Sequence, residues 1–197
     1  MGNTDEETTR AQRIWGEVQS LQVEIDDATP DDVYAVRQVQ RETWLATYPN
    51  EEHGITRDDI AAQFAKDETP AGRQKLENRK ESYADPTIHT WVAKDSDTII
   101  GFCSGKKGDD SNRIWSIYIL PEHQGRGVGK LLMTASLIWL GDDKDIYLDV
   151  ASYNAKAIAF YERFGFVESG REVVAPVSPL PSGKSIPEIE MVKRKNR

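Results

Sequence analysis

The chain has 197 residues, 38% of them hydrophobic, and a formal net charge of −8. That length supports one domain with a sizeable core and is short for two, and the acidic balance, with a sequence pI near 5.0, argues against a nucleic-acid binder, which would present a basic face. The single cysteine, Cys103, excludes an intramolecular disulfide, and His53, His89 and His123 are too scattered for a metal cluster, so no metal is expected.

A reducing, cytoplasmic setting without membrane association is expected. No run reaches the roughly 18 apolar residues of a membrane span, and the N-terminus lacks a basic start followed by an apolar stretch. "MGNTDE" carries Glu6 where a myristoylation signal needs Ser or Thr. The basic "KRKNR" end reads as a solvated tail.

In chain order, "TDEE" offers Thr4 as a helix cap with Glu7 reaching back, followed by Ile14, Val18 and Leu21 at helical spacing. Residues 1–22 are therefore expected to form a helical extension ahead of one domain over 23–197. The alternating "LQVEI" predicts a first strand, and "ATPDDVYAVRQVQRETW" a helix capped by Thr29 with Pro30 at its first position and Val33, Val36 and Trp44 on its buried face. From Tyr48 to about Asp85 the chain is polar, with helical stretches around "TRDDIAAQFA" and "GRQKLENRKESYA".

"IHTWVAK" and "TIIGFCSGK", joined by "DSD", predict a hairpin, and "RIWSIYIL" a further strand, all rich in β-branched and aromatic residues. A glycine-rich stretch, "PEHQGRGVGKLL", leads into a helix whose apolar face is expected at Val128, Leu131, Leu132, Ala135, Ile138 and Trp139. "DIYLDV" is a strand, and "NAKAIAFYERFG" a helix capped by Asn154 and stopped by Gly165. "FVESGREVV" and "PEIEMVK" form a closing strand pair around the proline-rich loop "APVSPLPSGKSIP".

Closely spaced glycines ahead of a helix suit a phosphate, because backbone N–H groups approach the ligand unobstructed and the helix adds its positive end. A P-loop needs a glycine separated by four residues from Gly-Lys and then Ser or Thr; here Gln124 and Leu131 occupy those places. A dinucleotide fingerprint on Gly125 and Gly127 needs a third glycine where Lys130 stands.

The remaining pattern, Gln124, Gly127 and Gly129, resembles the acetyl-CoA loop of the GNAT N-acetyltransferase superfamily. The strand "IWSIYILPE" before it and "YLDVASYNAKAIAFYERFGF" after it resemble the family's order, with Asn154, Ala157, Tyr161, Gly165 and Phe166 matching its closing motif. The two blocks cover residues 114–166. The resemblance implies an α+β fold in α/β/α layers, with a mixed, mostly antiparallel twisted sheet flanked by helices. Its fourth and fifth strands would splay to hold coenzyme A.

It also implies roles. The N–H groups of Gly125, Arg126, Gly127, Val128, Gly129 and Lys130 would cradle the pyrophosphate, the side chains of Arg126 and Lys130 either adding charge or remaining solvated. Gln124 belongs to the signature, Ile117 and Ile119 would offer main-chain groups to the pantetheine arm, and Asn154 would cap its helix and touch coenzyme A. Tyr161 resembles the general acid that assists the departing thiolate, through a hydrogen bond or a lowered pKa. His123 is read as structural.

The reaction implied is transfer of acetyl from acetyl-CoA to a primary amine by direct attack in a ternary complex, the amine belonging to a small molecule or a protein N-terminus. Only a neutral amine attacks, and a lysine-like amine is neutral about once in 10³ to 10⁴ molecules at pH 7. A base is therefore expected. Asp149 is the candidate, placed by alternation opposite Leu148 and Val150, at a position where some ribosomal-protein alanine acetyltransferases of the family carry an acid; an ion-paired Asp149 with a water as base is the alternative. Glu51 and Glu52 suggest an acceptor with a second positive charge. A CoA-binding sensor that does not turn over is the competing function, and either a monomer or a homodimer fits.

Overall fold

The computed structural model describes residues 23–172 and 179–195. The helical extension expected over 1–22 lies outside them, as do part of the proline-rich loop and the end of "FVESGREVV". No helix among the described residues is long and apolar enough to cross a membrane, and no group of metal-ligating side chains is found among them.

The strands are β1 (Val23–Asp27), β2 (Ile88–Asp95), β3 (Thr98–Lys106), β4 (Asn112–Ile119), β5 (Ile146–Ala151), β6 (Val167–Glu172) and β7 (Glu188–Lys193). They form one seven-stranded sheet in the order β1-β2-β3-β4-β5-β7-β6. Every neighbouring pair is antiparallel except β4 and β5, which run parallel. The helices are α1 (Val33–Thr47), α2 (Arg57–Ala65), α3 (Pro70–Arg79), α4 (Val128–Leu140) and α5 (Ala155–Glu162). The mixed sheet between helical layers is the fold that the motif order implied.

Local chemistry sets the element ends. Thr29 and Asp32 close a capping box with Pro30 inside it, but the chain first makes a 3-10 turn at Pro30–Asp32 before α1 begins. Thr56 and Asp59 make the same box for α2. Gly165, at φ +86°, takes the left-handed conformation just after α5.

Each face of the sheet buries its own core. On one face Ala93, Cys103, Ile114, Leu148 and Met191 pack against Val128, Leu132 and Met133 of α4 and Tyr161 of α5. On the other, Val92 and Phe102 meet Val36 and Val39 of α1. The α4 face differs from the one periodicity suggested: Leu131 and Ile138 point outward, Ile138 being 78% exposed, while Met133, Ser136 and Leu140 are buried. "VGKLLMTASLIWL" is apolar around nearly its whole circumference, so spacing alone does not select the side that packs.

One irregularity opens the sheet. Between β3 and β4 the register steps from Ser104↔Ser116 to Gly105↔Ile114, which leaves Trp115 as an extra residue in a bulge. A bulge bends its strand and steepens the twist. Beyond it β4 leaves β5, and the two pair only at Asn112↔Ile146 and Arg113↔Tyr147. The rest of their length is an open seam in the middle of the sheet.

Candidate active site

At the end of β4 the chain turns through Pro121–His123 and is then held by Gln124. The Gln124 side-chain amide donates to the Ile119 carbonyl at 3.0 Å, and Lys156 of α5 donates to its oxygen at 3.0 Å. This staple fixes the loop between β4 and α5. Gly125 (φ +77°) and Gly127 (φ +88°) both adopt left-handed conformations, which side-chain-bearing residues disfavour by about 1–2 kcal/mol. Gly127 is the residue from which α4 starts. None of the N–H groups of Gly125–Lys130 donates to an acceptor among the described residues, so they form a row of available donors at the positive end of a helix. Arg126 and Lys130 are exposed, and Arg126 contacts His123 Nδ1 at 3.0 Å.

The seam begins beside this loop. Leu120 N–H donates to Ile100 at 2.9 Å, and Tyr118 pairs with Phe102. Alternation therefore turns the backbone groups of Ile117 and Ile119 away from β3 and toward the seam. Asn154 accepts from Ala157 N–H at 3.1 Å and caps α5, as its position in the sequence suggested. Seven residues on, Tyr161 packs against Phe160 and Phe166 and is 8% exposed. Burial, then the phenol of Tyr118 and Cys103, push its pKa above the ordinary value. A lowered pKa is thus not what this environment provides, and Tyr161 is held as a neutral hydrogen-bond donor.

Tyr161 also acts electrostatically on Tyr48, just past α1. The Tyr48 and Tyr118 hydroxyls share a hydrogen bond at 3.3 Å, and burial raises the pKa of both. Tyr153 donates to the Tyr48 carbonyl at 2.9 Å, with a pKa pushed up to about 12 by burial and then by Glu188. Tyr48 just past α1, Tyr118 of β4 and Tyr153 just before α5 are thus linked by hydrogen bonds into one cluster of phenols with raised pKa values.

On the α1 side the seam opens into a cavity of about 650 Å³, with Trp44, Tyr48, Tyr83, Trp115 and Tyr118 among its walls. Its charged lining groups are Arg79, Arg113, Asp149 and Glu188. Asp149 is bound to Arg113, which also lies 3.5 Å from the buried Glu190; Ser169 donates to Glu190 at 2.8 Å. Glu190 stands opposite Asp149 in the β5–β7 register. The Arg113 network thus ties β4, β5 and β7 together where the seam starts to open.

Glu188 differs. It is half-buried, and it has no hydrogen-bonded or ion-paired side-chain partner among the described residues. Burial, and after it the Asp149 charge, raise its pKa, with Arg113 opposing. The fully buried Nε1–H of Trp44 has no hydrogen-bond partner among the described residues, and its ring lies against Tyr118 at 6.5 Å between centroids. A wider groove of about 880 Å³ on the outer side of α1, lined by Lys94, Asp97 and Glu122, contains none of the seam tyrosines.

The structure therefore gathers Gln124–Lys130, Ile117, Ile119, Asn154, Tyr161 and Asp149 around one seam. Glu51 and Glu52 do not join them: both are exposed on a turn outside the cavity lining. Glu188 and Arg79 are not singled out by the sequence, and Trp44 is expected there only as a buried-face residue of its helix. "PEIEMVK" puts Glu188 and Glu190 on one face of a strand, and nothing in that alternation says which will be neutralised.

A layered mixed sheet, split between parallel strands and bordered by a glycine turn of free N–H groups, has the form of an anion-binding site at a helix N-terminus. Residues 35–166 match the model of the Acetyltransferase (GNAT) family, and the chain belongs to that family. The mycothiol acetyltransferase of Rhodococcus opacus (strain B4) is 33% identical over 104 residues, covering 48% of this chain and 34% of the relative. The spermidine N(1)-acetyltransferase of Vibrio cholerae is 42% identical over 62 residues, covering 30% of this chain and 36% of that protein. The chain thus spans about a third of the length of these curated relatives. Among solved structures, the PaiA N-acetyltransferase of Thermoplasma acidophilum in complex with coenzyme A aligns with a TM-score of 0.69 at 20% identity, over 88% of this chain and 99% of that one. This last likeness concerns the fold.

Proposed function

We propose that the protein is an N-acetyltransferase that transfers the acetyl group of acetyl-CoA to a primary amine by direct attack in a ternary complex. The observation that carries this reading is the row of undonated N–H groups at Gly125–Lys130, opening on a seam flanked by Tyr161 and Glu188. The row fits a pyrophosphate. Ile117 and Ile119 would direct the pantetheine arm along the seam by main-chain hydrogen bonds, and Asn154 borders its path.

The base role passes, in this reading, from Asp149 to Glu188. Asp149 is already bound to Arg113, and its charge contributes by raising the proton affinity of Glu188. Glu188 would accept one proton from the ammonium of the acceptor. The amine lone pair then forms the C–N bond to the thioester carbonyl, and the C–S bond breaks as the tetrahedral centre collapses. The proton shed by the tetrahedral nitrogen passes to the departing sulfur, giving the amide and the thiol of coenzyme A, and Glu188 returns its proton to solvent. Tyr161 stabilises the developing thiolate by donating a hydrogen bond; its raised pKa favours donation over full ionisation.

The test is calorimetry with coenzyme A together with thiol release from acetyl-CoA over a panel of amines. The expected result is saturable CoA binding and amine-dependent release. Gly127→Ala is expected to weaken CoA binding, because a Cβ at φ +88° strains the turn. No binding at millimolar coenzyme A would overturn the proposal. Binding without release for any amine would favour a CoA-binding sensor.

A further inference from the structure

We infer that the acceptor is an amine that also carries a carboxylate, its ammonium taken by Glu188 and its carboxylate by Arg79. This rests on the acetyltransferase reading above and narrows its substrate class. Of the four charged side chains lining the cavity, Arg113 and Asp149 neutralise each other. Arg79 and Glu188 have no ion-pair partner among the described residues. Asp67, whose charge acts on Arg79, is itself held by the Arg37 guanidinium through Nε and Nη2, at 2.6 and 3.2 Å.

The cavity thus presents one unpaired cation and one unpaired anion. Arg79 is exposed, yet the surrounding protein, followed by the neighbouring Arg37 charge, lowers its pKa. The corresponding burial raises that of Glu188. Charges that line a cavity without an ion-pair partner gain from an oppositely charged, hydrogen-bonded ligand. Arg79 and Glu188 line the same cavity, with Tyr118 as a further wall residue.

The ligand classes separate on this pattern. A diamine would set its second ammonium against Arg79 and gain nothing from it; like charges at close range are unfavourable. A plain alkylamine would leave the guanidinium unpaired. An amino carboxylate satisfies both groups. The second positive charge suggested by Glu51 and Glu52 has no counterpart in the cavity, since neither residue lines it.

The experiment compares kcat/KM for phenylalanine against phenethylamine, and for 5-aminopentanoate against pentylamine and cadaverine, with CoA binding followed separately by calorimetry. In the wild type the carboxylate-bearing member of a pair is expected to be preferred at least tenfold. Arg79→Gln should reduce that ratio to within about threefold, and Arg79→Glu should turn it in favour of cadaverine; because Arg79 is exposed, both variants are expected to fold. Preference of the wild type for pentylamine or cadaverine, or a ratio unchanged in Arg79→Gln, overturns this inference and leaves the acetyltransferase reading standing. Absence of thiol release with every amine overturns both.

Discussion

The turn between β4 and α4 and the cavity beneath α1 lie on either side of one seam, but they are built from different material. The turn offers backbone N–H groups from six consecutive residues, shaped by Gly125 and Gly127 and stapled by Gln124. The cavity is walled by side chains from α1, the segment around Arg79 and Tyr83, β4, β5, β7 and the loop before β7. A backbone site needs particular conformations at adjacent positions and therefore leaves a short, local mark in the sequence. A side-chain site needs only that distant residues converge, and leaves no local mark.

The comparison makes the cavity the place where single side chains should matter most for turnover. Glu188→Gln is expected to lower kcat/KM by about 10² or more and to remove the acid limb of its pH profile, which in the wild type should lie above the ordinary carboxylate range. Calorimetric CoA affinity should not change. The same variant carries a stability signature. A carboxyl whose folded pKa is raised contributes stability that is complete below its unfolded pKa and lost as pH rises through the folded one. Glu188→Gln should therefore melt higher than the wild type above neutrality, the two curves converging below about pH 4. A lower Tm for the variant at pH 8 would contradict the assignment of Glu188 as an unpaired, desolvated acid.

Tyr161→Phe tests the junction of the two regions. Thiol release should slow about tenfold with CoA binding nearly unaltered, since the ring packing against Phe160 and Phe166 is kept and only the donor is lost. Unchanged turnover across the pH range would remove Tyr161 from the chemistry and leave it as a core residue.

The smallest expected effect comes from the edge of the cavity. Asp59 accepts from Thr56 N–H at 2.8 Å and from the Thr56 hydroxyl at 2.7 Å, and Lys184 of the loop before β7 reaches it at 3.1 Å. That loop brings Leu180 and Ile186 to the cavity wall. Thr56→Ala should cost about 1 kcal/mol of stability, roughly 2–4 °C in Tm for a domain of this size. It should raise KM for the amine while leaving CoA affinity alone; an equal loss of both would mean that the two regions are not independent.

Among the described residues, the sequence by itself determined the order of the elements and the glycine turn. Thr29, Thr56 and Asn154 cap helices through contacts within three residues, β-branched runs mark the strands, and Gln124, Gly127 and Gly129 occupy the spacing of the loop, because all of these depend on neighbours in the chain. Tertiary structure alone decided which face of the uniformly apolar α4 packs, and that the bulge at Trp115 opens the sheet beside β5. It also decided which acids remain available: Arg113 of β4 comes to lie between Asp149 of β5 and Glu190 of β7, neutralising the carboxylate that alternation had favoured, while Glu188, two residues earlier on β7, finds no such partner among the described residues. Charge pairing across strands depends on register and on where the seam begins, and neither is written within any one strand.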